Sequence, residues 1–314
     1  MRAAAVVTLV RPAMWVVGLA GFLAGGGIVL AAWPILVLPT LTGIQNLLGT
    51  PVSSLVFGAP SAELIALVAW TSVIGVTALV AGLLAGAWAE RRAIDMVLEA
   101  AVEEGFMDAP PDLTGAPGMV RVALLRFLAL WPPLVVVALA WPTLYDVTYH
   151  ELILPEDLAT PLPVRVIVRI PGFVAAVLVA WLLSDAAAAT GVRRLVLERR
   201  SVVRAWGLGW MDLVRRSHRI VPTAVLGLAV VVLAGGPALV AAGLGWDRVR
   251  EVLLVGRDPV IAGLAVVTWV AIWLGALVLL AAGAAFRAAA WTTEAIRVHD
   301  GRGIATGGAD SVTG

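Results

Sequence analysis

Residues 260–286 read VIAGLAVVTWVAIWLGALVLLAAGAAF, an apolar run of 27 residues that contains no charge. A helix of about 20 residues crosses the ~30 Å hydrocarbon core of a bilayer, because each residue advances the helix by about 1.5 Å. No soluble domain requires several such runs, and this chain contains further runs of comparable length. The sequence therefore predicts an all-α, polytopic membrane protein.

Six apolar runs are long enough to be transmembrane helices. They cover residues of about 14–38, 64–88, 127–144, 172–192, 220–244 and 260–286. The third contains Pro132, Pro133 and Pro142, and we expect these to kink the helix rather than break it. We predict one six-helix domain over residues 1–300, with amphipathic cytoplasmic helices, followed by a disordered polar tail over 301–314.

The amino-acid composition indicates the kind of organism that makes this protein and excludes cysteine chemistry. The chain has 61% hydrophobic and 14% charged residues, and all 22 of its basic residues are arginine. Arginine, alanine, glycine, valine and leucine all have GC-rich codons, so we expect a bacterial source. The absence of cysteine excludes disulfides and thiolate metal ligands.

The arginines predict the orientation of the chain. Seventeen of them fall at the N-terminus, in the second-to-third and fourth-to-fifth connections and in the tail, whereas five fall in the other connections. The positive-inside rule then places both termini on the cytoplasmic side of a bacterial inner membrane.

Residues 89–104 form the first of two predicted amphipathic cytoplasmic helices. Ile94, Val97, Leu98 and Ala101 share one face of that helix, since they follow helical spacing. This face is either a docking surface or part of a solvated extension of the second span.

The second amphipathic segment, residues 199–219, reads RRSVVRAWGLGWMDLVRRSHR. Its apolar face contains Trp206 and Trp210, together with Val203, Leu213 and Val214, and its opposite side carries Arg200, Arg204, Arg215 and Arg219. Arginine opposite tryptophan is typical of a helix that lies in an anionic membrane interface. The segment could sense anionic lipids, couple a transporter to a cytoplasmic ATPase, or act only as a topology anchor.

Two stretches near the C-terminal half resemble a known family. SVVRAWGLGWMDLVRRSHRIVP (201–222) and AFRAAAWTTEAIRVHDG (285–301) resemble segments of uncharacterised six-helix bacterial membrane proteins of the glycerophosphoryl diester phosphodiesterase membrane-domain type. The likeness covers these stretches and the six-helix plan. The catalytic barrel of that family, with its acidic and histidine residues, has no counterpart here. The resemblance therefore implies a membrane domain of unknown role and no diesterase activity.

Asp185 is the ionisable residue that interrupts a predicted span. A charge in hydrocarbon costs several kcal/mol unless it is paired, so such residues are candidate functional groups. Arg126, at the start of the third span, and Arg287, at the end of the sixth, lie at comparable depth, and either could pair with Asp185. We predict a polar cluster of these residues, which either serves proton or solute movement or pairs for structural reasons.

Other chemistry has little support in the sequence. The segment YDVTYHELILPED (145–157) contains Asp146, His150, Glu151, Glu156 and Asp157, but it has one histidine and we predict no metal site. Motifs of intramembrane proteases, serine hydrolases and phosphate-binding loops are absent, so we predict no enzyme and no cofactor. We also expect no nucleic-acid partner.

Small residues predict close helix packing. Gly21 with Gly25, and Gly82 with Gly86, form GxxxG pairs, and the fourth span contains SDAAAATG. Such faces allow helices to approach closely, either within one bundle or between two copies of the chain.

Few polar groups lie at the predicted midplane of the spans, apart from Thr71, Ser72 and Thr77. A substrate pathway needs more, so our leading interpretation is a non-enzymatic scaffold or accessory component of a membrane complex, with a cytoplasmic contact surface. Its expected partners are the bilayer, anionic lipids and a protein. The alternative is a permease subunit that works with a separate ATPase, and an intramembrane enzyme ranks third.

Overall fold

A computed structural model describes residues 2–35, 60–105, 117–153, 160–255 and 258–307, and within these ranges every regular element is helical. The α-helices are α1 (Arg2–Val10), α2 (Ala13–Phe22), α3 (Ile28–Ala32), α4 (Ala62–Glu103), α5 (Met119–Leu128), α6 (Trp131–Leu139), α7 (Trp141–Ile153), α8 (Leu162–Arg169), α9 (Pro171–Leu197), α10 (Val202–Arg215), α11 (Ser217–Leu254) and α12 (Pro259–Gly307).

Six helical stretches are long and apolar enough to cross a membrane, which confirms the predicted all-α, multi-pass class. They are Ala13–Ile35, Ala62–Glu103, Met119–Leu139, Pro171–Leu197, Ser217–Leu254 and Pro259–Arg297. Many of their apolar side chains face outward; Trp70, for example, is 67% exposed. An apolar surface of this extent is typical of a membrane-embedded protein.

Several helices extend past the predicted ends of the spans. The predicted amphipathic helix 89–104 continues α4 without a break, because its apolar face is buried in the bundle: Ile94, Val97, Leu98 and Ala101 are all buried. α12 runs to Gly307, which lies within the predicted disordered tail, and residues 308–314 lie outside the described part of the chain.

The third span begins at Met119, earlier than the predicted residue 127, since Arg121 and Arg126 lie within helix α5. Two residues separate the helices α5 and α6 at its prolines, and the chain continues as a helix beyond them. Pro132 and Pro133 occupy the first turn of α6, where a missing amide donor costs little. The backbone amide of Leu134 still donates to the Leu130 carbonyl at 3.1 Å.

The first span contains a wide turn at Leu23–Gly27 between α2 and α3. Gly26 has φ +97° there, in the region that favours glycine. The sequence LAGGG permits this irregularity, because residues with a Cβ are strained in that conformation.

The chain forms two compact units. The first contains the described residues within 1–35, 82–129 and 185–314, and the second contains those within 36–81 and 130–184. Helices α4 and α9 contribute to both units, so the units are not consecutive pieces of chain. The single domain over 1–300 stays a prediction.

Close backbone approaches hold the first unit together. A Cβ on Gly18 would lie 2.8 Å from the Ala285 Cα, and a Cβ on Gly283 would lie 3.0 Å from the Val231 Cα. These contacts join α2 to α12 and α11 to α12. Helices approach this closely only where side chains are absent or small.

The predicted GxxxG residues pack within this unit. Cβ positions built on Gly82 and Gly86 lie 3.3 Å and 3.5 Å from atoms of Ala24, and one built on Gly21 lies 3.5 Å from the Ala89 Cβ. Gly25 has no such neighbour within 4 Å in the described part of the chain. Three of the four glycines therefore serve contact between the first and second spans.

In the second unit, α7, α8 and the start of α9 share a small apolar core. Leu162, Val166 and Ile170 are buried there against Leu144 and Phe173 and their neighbours. This core positions the charged residues of α7 and α8.

Candidate functional site

Asp185 lies in contact with both predicted partners, within the first unit. The Nη1 of Arg126 donates to Asp185 Oδ1 at 3.0 Å, and Arg287 Nη2 donates to Asp185 Oδ2. Asp185 belongs to α9, Arg126 to α5 and Arg287 to α12. Both oxygens of the carboxylate are thereby occupied by guanidinium groups.

Glu90 of α4 extends this cluster. Arg126 binds Glu90 in a bidentate manner, with Nε to Oε2 at 2.7 Å and Nη2 to Oε1 at 2.8 Å. Arg193 Nη1 also donates to Glu90 Oε1, and to the Ala189 carbonyl at 2.9 Å. We call these five residues, Glu90, Arg126, Asp185, Arg193 and Arg287, the charge cluster.

The charge cluster joins four helices in an interior position. The Glu90 side chain is 9% exposed and the Arg193 side chain is buried. Planar bidentate pairing fixes the orientation of both partners, because two parallel hydrogen bonds must form together. Three guanidinium groups and two carboxylates leave the cluster with one formal positive charge in excess.

Glu90 and Arg193 were not among the predicted site residues, although the sequence contains a signal for each. Glu90 lies four residues before Ile94 and therefore falls on the apolar face of the 89–104 segment. Arg193 follows Asp185 by eight residues and falls on the same helix face. Neither signal is specific, because both residues stand beside other arginines and share the composition of ordinary flanking charges.

The predicted interface helix is α10, and its two tryptophans pack against the protein. Trp206 and Trp210 contact two buried apolar clusters of the first unit, and Ala205, Gly209 and Leu213 are buried. A Cβ on Gly209 would overlap the Ala187 carbonyl oxygen of α9. α10 therefore packs closely against the small residues of SDAAAATG in α9.

The outer side of α10 carries the exposed residues. Arg204 and Arg215 are exposed there, as are Val203 and Val214, whereas Arg200 is half-buried and Arg219 lies beyond α10 at the start of α11. The predicted apolar face is therefore divided, since Val203 and Val214 do not follow the tryptophans into the protein. Whether this helix lies in a membrane interface stays a prediction.

Ion pairs also stabilise the loop between α9 and α10. Arg194 binds Asp212 through Nε at 2.6 Å and Nη2 at 2.8 Å, and Arg194 Nη1 donates to Glu198 at 3.0 Å. Arg194 thereby ties the end of α9 to α10.

A further ion pair joins the N-terminal segment to the end of α4. Arg11 pairs with Glu99 at 3.2 Å and also with Glu103. The hydrogen bond to Glu103 raises the pKa of Arg11 above its ordinary value. Both carboxylates are exposed, so the contribution to stability is small.

Residues of the segment 145–157 do not form a metal site within the described chain. Glu151 is buried in the second unit and pairs with Arg165 at 3.1 Å and Arg169 at 3.0 Å. Among the residues that the structure describes, no group of three histidine, aspartate or glutamate side chains could hold a metal ion. Glu156 and Asp157 lie outside those residues.

A cleft of about 60 Å³ lies beside the charge cluster in the first unit. It is lined by residues of α9, α10, α11 and α12, among them Arg193, Arg219, Trp291 and Glu294. The cleft stands where the apolar parts of α9, α11 and α12 end.

Comparison of the chain with family models, with curated proteins and with solved structures finds no match.

Proposed function

We propose that this protein is a non-enzymatic scaffold or accessory component of a membrane complex in the bacterial inner membrane. Both termini face the cytoplasm, and the outer face of α10, in the arginine-rich part of the chain, is the contact surface. The charge cluster is the observation that carries this proposal.

The charge cluster supports a structural use of the charges inside the spans. Each carboxylate oxygen of Glu90 and Asp185 accepts at least one hydrogen bond from an arginine. A carboxylate that carries protons or binds a solute must give up its partners during the cycle, and here each would have to leave two guanidinium groups. Breaking a buried pair costs about 3–5 kcal/mol. The cluster therefore favours a fixed bundle over a moving pathway.

The outer face of α10 supplies the contact surface in this proposal. Val203 and Val214 are 72% and 76% exposed, and Arg204 and Arg215 lie on the same helix. Apolar side chains framed by arginines suit either an anionic bilayer surface or a protein partner.

The permease alternative rests on the same helix. α10 is held on α9 by Gly209 and joined to it by the Arg194–Asp212 pair, so a force applied to α10 reaches a transmembrane helix directly. A coupling helix on an ATPase requires this kind of rigid attachment. In this alternative the adjacent partner is an ATP-binding protein.

Site-specific photocrosslinking in membranes tests the proposal. A photoreactive residue at Val203 should give a discrete protein adduct, whereas the same residue at Leu264, an exposed apolar position of α12, should give lipid adducts only. A partner whose ATP hydrolysis changes on binding would establish the permease alternative. An adduct of twice the chain mass would identify a homo-oligomer.

Lipid adducts alone at both Val203 and Val214 would refute the contact surface. The resemblance to membrane domains of the glycerophosphoryl diester phosphodiesterase type enters this proposal only as support for a membrane domain without catalysis.

A further inference from the structure

The cleft beside the charge cluster combines buried hydrogen-bond donors with an excess of arginine. Its ionisable lining residues are Arg193, Arg194, Arg216, Arg219, Glu198, Asp212 and Glu294. Four guanidinium groups face three carboxylates. The rest of the charge cluster behind Arg193 adds no compensation, because its two other arginines are balanced by its two carboxylates.

Two of the lining residues have donors without an acceptor. The Nε1 of Trp291 and the Nε of Arg193 are buried, and neither donates to any group in the described part of the chain. A buried donor that lacks an acceptor costs about 1–3 kcal/mol. Both residues line the same cleft, and both nitrogens are closed to solvent, so one ligand with several acceptor oxygens satisfies them once their side chains shift toward the cleft.

The arginines of the cleft differ in their availability. Arg194 is occupied by Asp212 and Glu198, and Arg216 approaches Asp212 at 3.9 Å. Arg219 forms no ion pair with the carboxylates that the structure describes, and its side chain is exposed. Arg219 is thus the guanidinium group that is ready to bind a ligand from outside.

The level of the cleft in the fold indicates the source of the ligand. Arg219 immediately precedes the apolar run that begins at Ile220, and Trp291 follows the last run by a few residues. This is the level at which a helix leaves hydrocarbon and meets the phosphate groups of a bilayer. The cleft volume of about 60 Å³ is several times the ~10–15 Å³ that one water molecule needs.

We propose that this cleft is a binding site for the phosphate of an anionic phospholipid head group, with Arg219, Arg193 and the Trp291 indole as donors. Arginine suits this role because its planar fork matches two phosphate oxygens. The excess of positive charge selects a head group of net negative charge. This site is independent of the contact surface on the outer face of α10.

The test uses the full-length protein purified in detergent and titrated with dioctanoyl phosphatidylglycerol. Native mass spectrometry measures the bound lipid, and thermal unfolding measures the stabilisation that binding produces. Arg219→Gln and Trp291→Phe should each weaken binding by about tenfold, which is the effect of losing one charged or buried hydrogen bond. The matched control is Arg121→Gln, because Arg121 is an exposed arginine of α5 that lies outside both the cleft and the contact surface.

Trp291→Phe retains an aromatic side chain while it removes the indole donor and the second ring, and its thermal unfolding without lipid shows how much stability the smaller ring costs, so it keeps the test valid if Arg219→Gln unfolds the protein. Dioctanoyl phosphatidylcholine and inorganic phosphate are titrated in parallel. Weaker binding of phosphatidylcholine, and no displacement of lipid by phosphate, would support the lipid source. Displacement by inorganic phosphate with the same dependence on Arg219 and Trp291 would overturn the lipid source. Equal binding by wild type, Arg219→Gln and Trp291→Phe would overturn the site.

Discussion

Removal of the Glu90 carboxylate should destabilise this protein more than removal of any exposed carboxylate. Glu90 accepts two hydrogen bonds from Arg126, at 2.7 and 2.8 Å, and one from Arg193. In Glu90→Gln, one carboxylate oxygen becomes an amide donor that faces guanidinium donors. The positive excess of the charge cluster also rises from one to two.

The expected magnitude follows from the number and burial of these contacts. A hydrogen bond to a charged group contributes about 1.5–3 kcal/mol, and loss of one partner from a buried ion pair costs about 3–5 kcal/mol. We expect Glu90→Gln to lower the free energy of unfolding by about 3–5 kcal/mol. The control Glu99→Gln removes a carboxylate that is 51% exposed and pairs with Arg11, and it should cost at most about 1 kcal/mol.

Denaturant unfolding in mixed micelles, followed by tryptophan fluorescence and circular dichroism, measures both variants. Glu90→Gln combined with Arg193→Gln tests the pairing directly. The double variant should lose less stability than the sum of the two single variants, because each single change leaves an unpaired charge. Equal effects of Glu90→Gln and Glu99→Gln, or strict additivity of the double variant, would contradict this account of the charge cluster.

Two further predictions concern packing and topology. Gly209→Ala should destabilise the protein by more than about 1 kcal/mol, since the new Cβ would overlap the Ala187 carbonyl oxygen. The control Gly207→Ala lies on the same helix, where a Cβ meets nothing within 4 Å, and it should be neutral or stabilising. Thermal unfolding in detergent compares the two variants, and equal losses of stability would refute the close approach of α10 to α9. Because the chain contains no cysteine, single replacements at Ser201 and Leu254 can be labelled selectively in intact cells. An impermeant maleimide should label Leu254→Cys and spare Ser201→Cys, and the reverse pattern would overturn the proposed orientation.

Much of the architecture could be predicted from local sequence. A membrane span depends on the length of an uncharged run, and each run is contiguous in the chain, so the six spans were found without tertiary information. Their ends were less accurate. The uncharged runs end at charged residues, but Glu90, Arg126 and Arg193 lie inside continuous helices because their charges are paired.

Part of the candidate site could likewise be predicted from the sequence, and part could not. Asp185 was identified because a carboxylate inside an apolar run needs a partner wherever it is, and Arg126 and Arg287 were identified because they lie at a similar depth. Glu90 was missed because it stands beside two arginines in the chain, which make it resemble a solvated flank. Its side chain is nevertheless only 9% exposed, and its arginine partners come from α5 and α9.

Local sequence is enough to identify the apolar environment of the helices, the number of candidate spans and the residue whose charge needs a partner. These properties follow from the hydrophobicity and charge of short contiguous segments. Which arginine binds which carboxylate depends on the packing of the helices, since the pairs are separated by 36, 59, 102 and 103 residues in the chain. Only the tertiary structure could also place Trp291 beside Arg219, because a cleft between four helices depends on how their faces meet.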